Sequence, residues 1–180
     1  KRDWSSDVCS SDLMANGAIG CSLSHLNVLR MAMESNLDHV MVLEDDITFL
    51  NPGLFKQQLN AFLQSHGSDW DVILISGNNA PPYRVVDDVC VQVSRCQTTT
   101  GYIVNGPYIR KLHDNIKTGI KLLITHPKQH ALYALDKYWF LLQQQDKWFL
   151  IVPLTVVQYP NYSNIERRDT NYTRAMTMLK

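Results

Sequence analysis

Residues 70–76, Trp-Asp-Val-Ile-Leu-Ile-Ser, carry an unbroken apolar run of strand length. A strand with one wet face alternates apolar and polar side chains, so an unbroken run belongs to a strand covered on both faces. A chain with such a strand must supply a layer for each face. Helices are available for this. Asn51 reads as an N-cap, with Pro52 at the first helical position, Leu54, Phe55, Leu59, Phe62 and Leu63 at helical spacing, and Gly67 as the stop. Leu23, Leu26, Leu29 and Met33 mark a second helix, read as opening after a turn at Gly20. A third starts at Pro107 and is expected to end near Gly119; a fourth starts at Pro127 and reaches about Gln144, with Leu132, Leu135, Trp139 and Leu142 as its stripe. Strand-like segments at 39–44, 89–94, 98–105 and 148–157 lie between them, and residues 77–88 read as a long surface loop. Helix and strand alternate, so the expected fold class is α/β with a mainly parallel sheet flanked by helices.

At 180 residues the chain is long enough for one domain with its own core. Seventeen basic residues balance seventeen acidic ones, which removes the simplest electrostatic argument for a nucleic-acid or acidic-membrane partner. The most apolar stretch, 148–157, is shorter than a membrane span and is interrupted by Pro153, and no signal-peptide pattern opens the chain. The four cysteines, Cys9, Cys21, Cys90 and Cys96, have no zinc or C-x-x-C spacing, so reduced thiols in a cytoplasmic protein are expected, a Cys90–Cys96 pair being the alternative. Ser-Ser-Asp occurs at 5–7 and again at 10–12, an offset that matches neither helix nor strand, and the opening residues read like translated adapter sequence. Residues 1–14 are therefore expected to be a non-native or disordered tail before a domain at 15–180.

Chemistry is concentrated where Val40-Met41-Val42-Leu43 gives way to Glu44, Asp45 and Asp46. Adjacent carboxylates repel and are costly to desolvate beside a buried strand. In α/β sheets ligands bind at the carboxyl ends of strands. Hard oxygen ligands select Mg²⁺ or Mn²⁺ and leave coordination positions for phosphate oxygens and water. A solvated acidic turn capping the next helix is the other reading. Ser24 and His25 fall in the first turns of the helix read as opening at Gly20, where free N–H groups and the dipole favour an anion; His25 is equally readable as a structural histidine tethering that turn. Gly101 permits close backbone approach and Tyr102 can stack on a sugar face, with core packing as the competing account. His126 and His130 read as surface residues.

Gly17-Ala18-Ile19-Gly20-Cys21-Ser22-Leu23-Ser24-His25, followed by Leu43-Glu44-Asp45-Asp46, resembles glycosyltransferase family 25, the lipooligosaccharide and collagen galactosyltransferase group. That family pairs a G-x-I-G-C-x-x-S-H stretch with an E-D-D stretch about twenty residues later. Further likeness at Trp70–Ser76, at Gly101-Tyr102 and, more loosely, at a helix with Asp136 extends the resemblance over nearly everything after residue 15. The resemblance implies a GT-A type, Rossmann-like catalytic domain in which a divalent Mn²⁺ or Mg²⁺ helps move a hexose, galactose foremost, from a UDP-sugar to a glycan or protein hydroxyl with inversion, as in lipopolysaccharide biosynthesis. It implies Asp46 as the direct metal ligand, Glu44 as a second or water-mediated one, Asp45 as a donor ribose or sugar contact, and Ser24, His25, Gly101 and Tyr102 as further donor contacts.

Asp136 is the implied base for the acceptor hydroxyl, placed by the stripe pattern at a half-buried helix edge; a surface carboxylate paired with Lys137 is the plain alternative. The family's S-D-I segment is matched near Ser163 and Arg167 with Asn164 in place of the aspartate, which removes a charge. The family also opens with a strand and a basic turn that residues 1–14 do not supply, so a missing N-terminal strand, poor solubility and an inactive fragment are expected. Two rivals use the same residues. A Mg²⁺-dependent phosphohydrolase or nuclease needs more strand-end carboxylates, for which Asp71, Asp87 and Asp88 are poorly placed; a carbohydrate-binding relic needs no catalysis at all.

Overall fold

The structure, a computed structural model, describes the backbone of residues 4–163 and 168–180, and side chains from residue 16 onward within that span. In chain order the elements are α1 (Trp4–Glu34), β1 (His39–Leu43), β2 (Ile47–Phe49), α2 (Pro52–His66), β3 (Val72–Leu74), β4 (Asn78–Asn79), β5 (Tyr83–Val85), β6 (Cys90–Val93), β7 (Cys96–Gln97), β8 (Gly101–Asn105) and α3 (Gly106–Thr125). After a 3₁₀ turn at Pro127–Gln129 come α4 (His130–Tyr133), α5 (Leu135–Tyr138), α6 (Phe140–Gln143), β9 (Trp148–Ile151), β10 (Val156–Gln158), β11 (Asn161–Ser163), β12 (Arg168–Thr170) and α7 (Thr173–Met176).

β3 lies inside a six-stranded sheet of order β1-β8-β3-β9-β6-β5. Its side chains are fully buried, as the unbroken run requires. Val72 and Leu74 join one core cluster with Leu29 of α1 and Ile109 and Leu112 of α3. Ile73 points the other way, into a second cluster with Phe55 and Phe62 of α2 and Phe149 of β9. Helices therefore cover both faces.

The sheet is mainly antiparallel, not mainly parallel. Only the β3–β9 pairing is parallel, with Val72 opposite Trp148; β8 runs against both β1 and β3, and β6 against both β9 and β5. Alternating helices and strands give the order of elements but not strand direction, and a strand buried on both faces reads alike in either sense. β8 lies between β1 and β3, and no local pattern marks that insertion.

Helix α2 forms as its signals dictate: Asn51 Oδ1 accepts from Leu54 N–H at 3.0 Å, and Gly67 stops the helix at φ +53°. Two other glycines play different parts from those expected. α1 runs straight through Gly20, so Ser24 and His25 sit in mid-helix and not at a start with free N–H groups. The hydroxyls of Ser22 and Ser24 donate back to the carbonyls of Ala18 (2.8 Å) and Gly20 (3.2 Å), the bonding of serines within a helix. α3 continues past Gly119 to Thr125, and a Cβ at Gly119 would lie 3.2 Å from the Tyr138 ring, so the glycine admits a neighbour and does not stop the helix.

The single helix expected over 127–144 is broken into short pieces, with Ala134 in extended backbone at φ −54°, ψ 144° between α4 and α5. Leu135, Trp139 and Leu142 are buried as the stripe requires, whereas Leu132 is exposed. The surface loop read at 77–88 contains β4 and β5, paired with β7 and β6. Cys21, Cys90 and Cys96 are free thiols. The tail expected at residues 1–14 falls on residues of which only the backbone from Trp4, within α1, is described. Among the described residues, no helix is long and apolar enough to cross a membrane.

Candidate functional site

The acidic triplet leaves the main sheet at the end of β1. Glu44 N–H donates to the Thr100 carbonyl at 3.0 Å, one step beyond the β1–β8 ladder, and Ile47 N–H turns back to the Glu44 carbonyl at 3.3 Å. β2 then pairs with β10, setting Ile47 opposite Gln158, while Tyr159 N–H donates to the Asp46 carbonyl at 2.7 Å. Sheet and ribbon hold the triplet between them. A cleft of about 1340 Å³ opens there, and Ser24, His25, Glu44, Asp45, Asp46 and Asp136 all line it.

Glu44 is the most firmly held of the acids. Its Oε1 accepts from Thr99 Oγ1 at 2.5 Å and lies 3.3 Å from Nε2 of His25. His25 is buried, with Nδ1 2.8 Å from the Tyr102 hydroxyl. A proton on Nε2 directed at Glu44 leaves Nδ1 to accept from Tyr102, so the tyrosine fixes the ring and the ring fixes the carboxylate. Burial pushes the Glu44 carboxyl up, but the hydrogen bonds from His25 and Thr99 outweigh it and hold the group below the usual carboxylate value. Oε2 has no hydrogen-bond partner among the described residues.

Asp46 is shifted the other way. Burial raises its carboxyl, the Gln158 bond opposes this, and the Glu44 and Asp45 charges add to the rise. Oδ2 accepts from Gln158 Nε2 at 2.6 Å, whereas Oδ1 is buried without a partner among the described residues. Asp136 on α5 is likewise raised, by burial first, with Lys137 and the Thr98 N–H opposing and Glu44 contributing. Its Oδ2 accepts from Thr98 N–H at 3.3 Å. Thr98 reaches it from left-handed backbone, φ +75°, a conformation that costs a β-branched residue about 1–3 kcal/mol and recurs at functional sites.

Other expected residues stand elsewhere. Gly101 and Tyr102 do not line the cleft. A Cβ on Gly101 would meet Ile75 at 2.7 Å and Ile47 at 2.8 Å, and the Tyr102 ring is fully buried with its edge on Trp139, so the core-packing account describes both. Tyr102 meets the site through its hydroxyl, 2.8 Å from Nδ1 of His25. His130 and Lys137 line the cleft; His126 does not. Asp71, Asp87 and Asp88 are also outside it: Asp71 accepts from Lys147 N–H, and Asp87 pairs with His66. Ser163 lines the cleft, while Asn164 and Arg167 lie outside the described residues. Thr98, Thr99 and Gln158, which orient the acids, were not singled out from sequence; the Thr98-Thr99-Thr100 run was the available signal.

The donor set fits a hard divalent cation through Asp46 Oδ1, a buried oxygen lacking a partner, and the free Oε2 of Glu44. The triplet does not converge as a cage. Among the described residues, the three-donor groups with ligand atoms within 4.8 Å of one another are Cys21–His25–Glu44 and His66–Asp87–Cys90. One anionic acid beside two acids biased toward protonation is an arrangement suited to acid–base work.

Residues 1–139 match the model of a family described as Glycosyltransferase family 25 (LPS biosynthesis protein). Procollagen galactosyltransferase 2 of Homo sapiens is 29% identical over 167 residues, covering 87% of this chain and 26% of the human protein. Procollagen galactosyltransferase 1 of Danio rerio is 26% identical over 160 residues, 83% of this chain and 26% of the fish protein. Procollagen galactosyltransferase 2 of Mus musculus is 29% identical over 114 residues, 59% of this chain and 18% of the mouse protein. The chain spans about a quarter or less of the length of these relatives.

Proposed function

The chain belongs to glycosyltransferase family 25, and from that premise we propose that its cleft transfers a hexose, galactose foremost, from a UDP-sugar to a glycan or protein hydroxyl, with inversion and with Mn²⁺ or Mg²⁺. The observation that carries this reading is the meeting of Glu44, Asp46 and Asp136 in one cleft, each acid held by a named donor. The names of the relatives favour galactose and a protein acceptor. The GT-A assignment belongs to the same proposal.

In this reading Asp46 would hold the cation directly and Glu44 directly or through water, with His25 and Thr99 keeping Glu44 anionic. Exposed Asp45 and Ser24 meet the ribose or sugar of the donor. When bound, the cation supplies neutralisation of charge on the departing diphosphate. Asp136 takes the proton of the acceptor hydroxyl as that oxygen bonds to the anomeric carbon and the bond to the diphosphate oxygen breaks. Burial suits it to the task, because a carboxyl raised above its usual value is the stronger base once ionised.

The test is UDP release from UDP-galactose with a collagen-type peptide or a glycan acceptor, with and without Mn²⁺. Cation-dependent release is expected from a full-length form of the chain, falling by about 10²-fold or more in Asp46→Asn. Equal release from that variant, or release indifferent to the cation, would refute the assignment.

A further inference from the structure

We propose that His66, Asp87 and Cys90 form a second cation site, for a zinc-type divalent ion, apart from the cleft and joining the end of α2 to the β5–β6 hairpin. None of the three lines the cleft. Their nitrogen, oxygen and sulfur donors lie within 4.8 Å of one another: His66 Nε2 is 3.0 Å from Asp87 Oδ2 and 3.5 Å from Cys90 Sγ. A tetrahedral zinc with ordinary bonds to nitrogen, oxygen and sulfur sets such atoms about 3.3–3.6 Å apart. Both distances from His66 Nε2 lie within a few tenths of an ångström of that spacing.

The donors are held in place. Asp87 Oδ1 accepts from the N–H groups of Val89 and Cys90, both at 2.9 Å, which leaves Oδ2 for His66. The imidazole sits against Phe62 and Phe149, with ring centroids 4.4 and 5.4 Å away, and Cys90 is fully buried. Without a cation, Asp87 accepts from the imidazole of His66 and from the Cys90 thiol. A cation would displace those protons and take the same imidazole, carboxylate and thiolate as ligands, which the convergence of three different donor types on one point favours. The side chains of His66 and Asp87 remain 17% and 34% exposed, so an ion enters from solvent and water completes the shell. Sulfur and imidazole ligands select zinc over magnesium or manganese, so this site does not compete for the ion of the oxygen-lined cleft.

Titration of the full chain with Co²⁺, a zinc stand-in whose thiolate complexes absorb in the near ultraviolet, tests the proposal. The native chain is expected to develop the sulfur-to-cobalt band, and Zn²⁺ to abolish it by displacement. Cys21 lies in the other three-donor group, so Cys21→Ser should retain the band while Cys90→Ser loses it. Asp87→Asn should weaken binding by at least about tenfold. Should Cys90→Ser fail to fold, His66→Gln decides: Zn²⁺ is expected to raise the melting temperature of the native chain but not of that variant. No band in the native chain, a band lost with Cys21 and kept without Cys90, or an equal zinc-induced rise in His66→Gln overturns the site.

Discussion

Thr98 and Thr99, adjacent in the link before β8, reach two acids that lie on different elements: Thr99 donates its hydroxyl to Glu44, and Thr98 its N–H to Asp136. The acids respond oppositely. Glu44 is held below its usual value, so its contribution to folding is present above its unfolded value and is lost as pH falls through the folded one. Asp136 is raised, so the native state binds its proton more tightly than the unfolded chain does. Its contribution is favourable in acid and is lost as pH rises through the folded value, which leaves ionised Asp136 a cost near neutrality. Asp136→Asn keeps the acceptor for Thr98 and removes that cost. The variant should melt higher than the native chain at pH 7, the gap closing as pH falls toward about 4, the ordinary aspartate range. Its transfer rate should drop by about 10²–10⁴-fold. A melting difference unaltered by pH would refute the burial argument. Sequence exposed these acids but not their holders, because Thr99–Glu44 and Gln158–Asp46 join positions 55 and 112 residues apart.

At the scale of elements, the legible parts are those whose signals are local. Asn51, Pro52 and Gly67 bracket α2 because a cap and a stop act within one turn of chain. Gly20 and Gly119 were misread because a glycine shows only that a Cβ is absent. Whether the chain turns there or a neighbour packs against it depends on residues far away, such as Tyr138 over Gly119. Gly20 offers a direct test. It lies exposed within α1, outside the left-handed region, with nothing within 4 Å of a built Cβ. In a continuous helix, Gly20→Ala should stabilise the chain by about 0.5–1 kcal/mol, read from chemical denaturation. If Gly20 instead opened the helix from a left-handed turn, the same change would destabilise it.

At the scale of the whole molecule, strand direction was the part hidden from sequence, and the double coverage of β3 was the part on view. That coverage has an energetic consequence. Leu74 packs into the cluster under α1 and α3, and Ile73, the residue before it, into the cluster under α2. Both side chains are completely buried. Truncation to alanine at either position should cost about 2–5 kcal/mol through lost burial and the cavity left behind. In a chain of this size each kcal/mol lowers the melting point by about 2–4 °C. Because consecutive residues of one strand serve the two faces, neither cluster can melt while the other stays folded, so both variants should unfold in a single calorimetric transition shifted to lower temperature. A second transition confined to Ile73→Ala would mean that α2 and its cluster come away on their own, and that β3 does not join the two layers into one cooperative unit.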